Sequence, residues 1–343
     1  MGPPFKRLVS IDPTKVGSTD SSNFPVEFSV IDPIFKSIAN GGHVASASGF
    51  DMRPYLDFAL TIPLDFELER YVATTGEVIM WVKVPTLSHS VQTTFYIRYD
   101  DASLTTDGSN AVNTFSNGFD AIYHFKDGTT LNISDAIGPF TVNGAPVPTA
   151  GTGQIDGGAA FASASSQYLE TTGNGPPGNN PATALTLSGW AKATSFPNDY
   201  NPCLMNRGVA AQDYYGMYVR SADGKLYSLV YANTVLSYNG TGSIVIATGS
   251  WYYFALTYDN VTGLKAYVNA VLDNTVAPNG GAQTAGNAMA MGRQRSTGTR
   301  YWNGLLDEMR HATVVRSVDW ITAEYNNQFS PSTFLTVGPE QPA

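Results

Sequence analysis

The chain of 343 residues contains 33 Gly, 20 Pro and 43% hydrophobic residues, whereas only 14% of its residues are charged. Its aromatic content of 12% supplies enough apolar side chains for two globular domains and excludes intrinsic disorder as the main state. The net charge of -9 argues against nucleic acid and anionic membrane as partners, and the single Cys203 excludes an intrachain disulfide and a multi-thiolate zinc site.

Apolar and polar residues alternate along several segments of the first half. This period of two in residues 24–30 and 94–99 predicts half-buried strands. Residues 77–85 predict a further strand, which we expect to end at Pro85 because proline cannot donate a ladder hydrogen bond.

The same pattern continues in the second half, separated by Asn-Gly, Asp-Gly and Thr-Gly turn signals. It predicts strands at residues 185–193, 214–220, 226–231, 244–247, 251–258 and 264–269. Many short strands at this spacing are typical of a sandwich or jelly roll.

One segment near the C-terminus has helical periodicity instead. Apolar residues recur every three or four positions in residues 317–328, Ser317 is a suitable N-cap, and Asp319 falls in the first turn. We place the domain boundary within residues 116–120, which gives domains at 1–117 and 118–343. The predicted fold is all-β, with two antiparallel β-sandwich (jelly-roll) domains and one short helix.

Several runs in the second half carry a family resemblance. They are residues 157–161, 168–169, 185–190, 251–258, 266–269 and, most specifically, the closing segment 303–328. These runs resemble the concanavalin-A-like, laminin-G-like jelly roll of bacterial, archaeal and phage surface proteins.

The first half is similar to the uncharacterised β-rich domain that precedes such jelly rolls. The similarity rests on residues 23–26, 50–53, 80–85 and 95–99. Asp100 and Asp101 depart from the Gly-Asn that this family usually has there. Neither family implies one fixed activity, so function must be argued from a site.

Candidate catalytic groups are few. A retaining glucanase needs paired carboxylates, commonly as Glu-x-Asp-x-x-Glu on a strand, and this pattern is missing from the sequence. The alternating carboxylates at residues 65–69 are explained by an exposed strand face. Without a Gly-x-Ser-x-Gly elbow, and with His124 inside a predicted strand, the sequence favours a protein that is not an enzyme.

The resemblance also implies a structural calcium ion, because jelly rolls of this family often hold one between a loop and the closing strand. Asp135 matches the loop position and Asp307 the closing-strand position, and carboxylate oxygens suit calcium. The alternatives are an Asx turn at Asp135, and a turn cap or an ion pair with Arg310 or Arg316 for Asp307.

Two loops combine aromatic, amide and charged residues, which is the chemistry that sugars require. The candidate ligand-binding residues are Asp199, Asn206, Arg207, Asp213 and Tyr214 in one loop, and Arg295, Arg300 and Tyr301 in the other. Trp302 beside the second loop is expected to be core.

The sequence therefore predicts a non-catalytic surface adhesion or carbohydrate-binding protein, present in several copies on a virion or an extracellular surface. The N-terminus shows no apolar signal segment, which would suit a virion protein released by lysis. Its expected partner is a surface glycan or another virion protein, with no nucleic acid and no membrane insertion. The alternatives are a purely structural virion protein and a divergent polysaccharide-cleaving enzyme or its accessory module.

Overall fold

The computed structural model describes residues 4–126, 129–177, 183–232, 235–238, 242–277 and 286–343. The chain divides into two units, one made of residues 1–117 and 317–343 and the other of residues 118–316. The division at 117/118 lies where the sequence suggested a boundary. The structure differs from the predicted 118–343 domain because residues 317–343 group with the first unit.

The first unit begins with six strands and a short helix. They are β1 (Phe5–Ile11), β2 (Ser21–Ile31), β3 (Arg53–Tyr55), β4 (Phe66–Val72), β5 (Glu77–Leu87), β6 (Thr93–Tyr99) and α1 (Ala111–Thr114). Three-residue 3-10 helices lie at Pro13–Lys15, Pro33–Phe35 and Ile38–Asn40. Strand β5 continues past Pro85, contrary to prediction. Pro85 lies opposite Asn23 (φ 50°), where the β2–β5 pairing skips one position and resumes at Thr86, so no ladder bond needs the missing N–H.

The second unit contains sixteen strands in its described residues. They are β7 (Phe119–Tyr123), β8 (Val142–Asn143), β9 (Thr149–Thr152), β10 (Gly157–Phe161), β11 (Leu169–Thr171), β12 (Ala184–Ala193), β13 (Tyr200–Pro202), β14 (Asn206–Val209), β15 (Gln212–Arg220), β16 (Leu226–Ala232), β17 (Val235–Tyr238), β18 (Trp251–Asp259), β19 (Gly263–Val268), β20 (Val271–Val276), β21 (Met289–Met291) and β22 (Gly304–Ala312). A 3-10 helix spans Ser163–Ser165.

Two antiparallel sheets form the sandwich of the second unit. One has the order β20-β19-β18-β12-β22-β10-β9 with β7 on β22, and the other has β17-β16-β15-β14-β21-β11-β8 with β13 on β15. Residues from both sheets, such as Leu256 and Leu306 in one and Met217 and Val230 in the other, share a single core. The all-β sandwich prediction is confirmed for this unit.

The predicted strand at 244–247 is wrong. Its backbone N–H groups bond outside any ladder: Ile244 donates to the Asp273 carboxylate at 2.8 Å, and Ile246 donates to the Gly224 carbonyl at 2.8 Å. The apolar alternation there reflects a buried anchor, Ile246, at 3% exposure in a loop.

The C-terminal segment completes the first unit with α2 (Val318–Phe329), α3 (Pro331–Phe334) and β23 (Leu335–Pro342). The predicted helix and cap are confirmed, because the Ser317 side chain accepts the Trp320 N–H. Strand β23 pairs with β1 in the sheet β23-β1-β6-β3, which faces a second sheet, β2-β5-β4. Ring contacts such as Phe28 to Phe95, at 6.5 Å between centroids, join the two sheets.

Helix α2 also covers the free edge of β2. The buried Asn327 amide accepts from the Glu27 N–H at 2.7 Å and donates to the Glu27 carbonyl at 2.9 Å, as a neighbouring strand would. Trp320 packs on Phe24 at 4.7 Å between ring centroids. An edge strand is thereby protected by a side-chain amide instead of a further strand.

This contact predicts a stability loss for Asn327→Ala. The substitution leaves a buried N–H and a buried C=O of Glu27 without the amide, so we expect the free energy of unfolding to fall by about 1–3 kcal/mol. Urea denaturation measures it, with Asn40→Ala, an exposed residue at the end of the 3-10 helix Ile38–Asn40, as the control. Equal effects of the two variants would contradict this role of Asn327.

Candidate functional site

The two segments predicted as loops meet at a cavity of about 330 Å³ in the second unit, which we call the tyrosine cavity. The first segment is not a loop as predicted, because most of it forms β13, β14 and the start of β15. The lining of the cavity is mixed aromatic and polar. The residues that line it are Tyr200, Ala211, Gln212, Asp213, Tyr227, Leu229, Tyr231, Gln294, Ser296 and Arg300.

Three tyrosines form one wall of the tyrosine cavity. Successive side chains of a strand point to opposite faces, so Tyr227, Leu229 and Tyr231 of β16 reach the cavity while Val230 joins the core. Tyr200 on β13 lies 4.9 Å from Tyr227 between ring centroids. The wall is therefore built on regular strands.

A chain of polar contacts forms the opposite side. The Asp199 carboxylate accepts from Arg300 Nε at 3.2 Å and Nη2 at 2.7 Å, and Arg300 Nη1 donates to Gln294 Oε1 at 2.8 Å. Gln294 Nε2 in turn donates to Asp213 Oδ2 at 2.5 Å. The Arg300 guanidinium also lies 4.9 Å from the centre of the Tyr200 ring. The ion pair with Asp199 therefore fixes the position of the guanidinium, and the ring contact fixes its orientation.

The two acidic residues of this chain have opposite electrostatics. Burial raises the pKa of Asp213 above its ordinary value, although hydrogen bonds from Ser296 and Gln294 oppose the shift. The hydrogen bond from Arg300 lowers the pKa of Asp199, which is exposed. Asp213 is thus the carboxylate whose charge is sheltered from water.

Asn206 and Arg207 support the cavity from the interior and do not line it. Both are 0% exposed. Asn206 donates to the carbonyls of Ala290 and Arg293, and Arg207 donates to Pro176 and Gly286 carbonyls. Burial lowers the pKa of Arg207. The structure therefore places these two predicted ligand residues where no ligand reaches them.

The other predicted residues, Tyr214, Arg295 and Tyr301, are not among those that line the cavity. Tyr214 is buried and stacks on Tyr231 at 6.0 Å between centroids. The Tyr301 hydroxyl donates to the Gly298 carbonyl at 2.9 Å, and Arg295 contacts Glu170 at 3.3 Å. Trp302 is core at 1% exposure, as expected.

The sequence analysis missed Tyr227, Tyr231 and Gln294. The signal for the first two was present, since Tyr-x-Leu-x-Tyr within a predicted strand places three side chains on one face. They were interpreted as strand residues only, because nothing local shows which face of β16 meets the loops.

The carboxylates at residues 65–69 are not on an exposed strand face as predicted. Glu67 and Glu69 are each 6% exposed, and Glu69 Oε2 accepts from the buried Trp81 indole at 2.6 Å. Asp65 pairs with Lys83 at 2.7 Å. These contacts give Glu69 and Asp65 structural roles.

The calcium candidates are engaged by backbone donors. Asp135 Oδ1 accepts the N–H groups of Ile122 and Ile137, the latter forming an Asx turn, and Asp135 Oδ2 accepts from Phe140. Asp307 Oδ2 accepts from Gln154 at 2.8 Å and from Ile155 at 2.9 Å. Backbone N–H groups therefore point at three of the four carboxylate oxygens, and a cation at those three atoms would have to compete with them. The contacts favour the Asx turn at Asp135 over the calcium ion that the resemblance implies, and a binding measurement is needed to test that ion.

Comparison with known families agrees with both sequence resemblances. Residues 163–322 match the family described as the concanavalin A-like lectin/glucanases superfamily. Residues 51–134 match a domain of unknown function, DUF2341. No curated protein sequence matches the chain significantly.

Several solved structures are similar to part of this chain at low sequence identity. Domain 4 of AbnA, a GH43 extracellular arabinanase from Geobacillus stearothermophilus, is 18% identical, with a TM-score of 0.45 over 61% of this chain and 98% of its own. The binding domain of Paraclostridial Mosquitocidal Protein 1 is 11% identical, with a TM-score of 0.49 over 61% of this chain and 52% of its own, so the chain spans about half its length. A SAP-like pentraxin from Limulus polyphemus is 20% identical, with a TM-score of 0.36 over 50% of this chain and 88% of its own.

The backbone contacts of Asp135 and Asp307 predict how calcium affects stability. We expect equal melting temperatures in chelator and in millimolar calcium. A bound ion at a hundredfold excess over its Kd would add about 2.7 kcal/mol, which a thermal melt detects easily. A calcium-dependent rise that Asp307→Asn removes would contradict this expectation and establish the ion.

The raised pKa of Asp213 predicts a pH-dependent stability. The folded state binds the Asp213 proton more tightly than the unfolded state, so this carboxyl's contribution falls as pH rises from about 4 through its raised pKa. Asp213→Asn should remove that fall in urea unfolding measured across pH. Asp199→Asn is the matched control, because the pKa of Asp199 is lowered and its pH effect has the opposite sign. Asp199 stabilises the folded state at neutral pH, and this contribution is lost as pH falls. Parallel pH profiles for wild type and Asp213→Asn would show the carboxyl to be unperturbed.

Proposed function

We propose that this protein binds a glycan in the tyrosine cavity without cleaving it. The observation that carries the proposal is the meeting of a tyrosine wall and a fixed polar chain in one cavity. The apolar face of a sugar stacks on aromatic rings while its hydroxyls need paired donors and acceptors. A volume of about 330 Å³ lies at the small end of ligand pockets and suits a short stretch of a glycan.

The polar chain favours recognition of hydroxyl groups. Arg300 and Gln294 offer donors, and Asp213 offers a sheltered acceptor whose partner Gln294 lies at 2.5 Å. Because Asp199 and Gln294 already hold the guanidinium, a ligand does not need to order it, and binding loses less conformational entropy.

The carboxylates support binding over hydrolysis. A retaining glycosidase needs two carboxyl groups about 5 Å apart, and an inverting one needs a pair somewhat further apart. Asp213 is the one carboxylate among the described residues that line the cavity, and Asp199 beside it is paired with Arg300. We therefore propose a lectin-like role and not a polysaccharide-cleaving one.

A small site of this kind suits a protein used in several copies. Linked sites raise the effective concentration, so weak individual contacts give useful avidity on one particle. We propose that the protein acts in this way on a virion or an extracellular surface, where its partner is a surface glycan. No helix in the described part of the chain is long and apolar enough to cross a membrane.

The tyrosine wall supplies the test. Tyr227→Ala and Tyr231→Ala should each raise the Kd for a bound oligosaccharide about tenfold, the effect of losing roughly 1.4 kcal/mol of stacking. A glycan array identifies the ligand and titration calorimetry measures the Kd. Tyr325→Ala, a half-buried tyrosine of the first unit that stacks on Phe329, is the control.

Three results would argue against the proposal. Release of reducing ends from the bound polysaccharide would show an enzyme. Binding that survives both cavity substitutions would place the glycan elsewhere. Failure to bind any glycan, together with tight binding to another virion protein, would favour the purely structural alternative.

A further inference from the structure

A second group of side chains lies beside the tyrosine cavity, around Glu170 of β11. Arg293 Nη2 pairs with Glu170 Oε2, and Arg295 Nε lies 3.3 Å from the same oxygen. The Arg293 guanidinium also stacks on the Tyr168 ring at 3.7 Å from its centre. We call these four residues the arginine cluster.

The arginine cluster carries more positive than negative charge. Two guanidinium groups share one carboxylate, in a chain whose net charge is -9. Neither Arg293 Nε nor Arg295 Nε makes a hydrogen bond within the described part of the chain, although both atoms are buried. The Arg295 side chain is 28% exposed, so its remaining N–H groups face solvent. The exposed N–H groups of Arg295 are therefore the donors that a ligand can reach, and the cluster has one positive charge in excess.

The cluster is also held in place before any ligand arrives. Glu170 fixes the end of Arg293, and the Tyr168 ring fixes its plane. The backbone N–H of Arg295 donates to the buried Asn206 side chain at 2.7 Å. A planar guanidinium that is fixed in this way matches the two oxygens of a carboxylate or sulfate.

The position of the cluster links it to the proposed glycan site. Gln294 lies between the two arginines in sequence and lines the tyrosine cavity. Arg293 forms an antiparallel bridge with Tyr301, so the segment is extended there, and neighbouring side chains point to opposite sides of it. One short segment thus presents Gln294 on one side and the two arginines on the other.

We infer that the arginine cluster is a subsite for a single oxyanion, a carboxylate or a sulfate, carried by the glycan. This inference rests on the proposed function, because a glycan bound in the tyrosine cavity must extend across the 293–295 segment, past Gln294, to bring its oxyanion to the arginines. The preferred ligand is then an acidic glycan and not a neutral one. Selectivity comes from charge-assisted hydrogen bonds, which weaken with added salt.

The test uses glucuronate, glucose 6-sulfate and glucose as probes of the full chain. In NMR spectra of arginine Nε–H groups, the two acidic sugars should shift the signals of Arg293 and Arg295, and glucose should leave them unchanged. The two acidic probes distinguish a carboxylate from a sulfate preference. Arg295→Gln should weaken binding of the acidic sugar about tenfold, and Arg295→Lys should restore only part of it because the fork geometry is lost.

Arg98→Gln is the matched control, since Arg98 in the first unit has similar exposure and pairs with Asp101 at 2.6 Å. Equal response of the arginine signals to glucose and to both acidic sugars would overturn the subsite. If oligosaccharides bind through Tyr227 and Tyr231 with no preference for acidic forms, the subsite fails and the proposed function stands. If acidic probes act on Arg295 while the tyrosine substitutions change nothing, the tyrosine cavity fails and the oxyanion site stands.

Discussion

The second unit depends on a strand that buries charge. Asp307, Glu308, Arg310 and His311 of β22 are each at most 1% exposed, in the middle of an eight-stranded sheet. Burial alone raises the pKa of Glu308, but contacts with His124 at 2.6 Å and with Arg310 at 2.6 Å lower it, so the carboxylate stays ionised. An unpaired buried ion costs several kcal/mol, so the buried Glu308 carboxylate depends on its contacts with His124 and Arg310 in the folded sheet.

These partners tie distant segments of the chain to one strand. Asp307 holds the turn before β10 through two backbone N–H groups, His124 follows β7, and His311 contacts Asp120 within β7 at 2.5 Å. The residues that make the closing segment recognisable in the sequence are therefore structural. The tyrosine cavity belongs to the other sheet, on β13, β15 and β16.

Local sequence patterns predicted many of the strands and helix α2. The predictions that failed concern features that depend on pairing between residues far apart in the sequence. Period-two alternation found most strands, and the Ser317 cap found the helix, because both signals lie within a few residues. The union of residues 317–343 with the first unit depends on pairing with β1 and on Asn327, hundreds of positions from its partner Glu27. Asp213 and Arg300 were predicted, but Tyr227 and Tyr231 escaped prediction for the same reason, since β16 meets the other lining segments only in the fold.

Under the proposed function, the tyrosines on the strands and the arginines on the neighbouring segments contribute differently to the choice of ligand. Tyrosines on β13 and β16 give a rigid apolar wall that any sugar can use, so they contribute affinity more than choice. Arg300 is already committed to Asp199 and Gln294, and its charge is largely balanced. The unbalanced charge lies at Arg293 and Arg295, which share one carboxylate. Under the proposed function, discrimination between neutral and acidic glycans would therefore rest on these two arginines, because the charge of Arg300 in the cavity is already paired with Asp199.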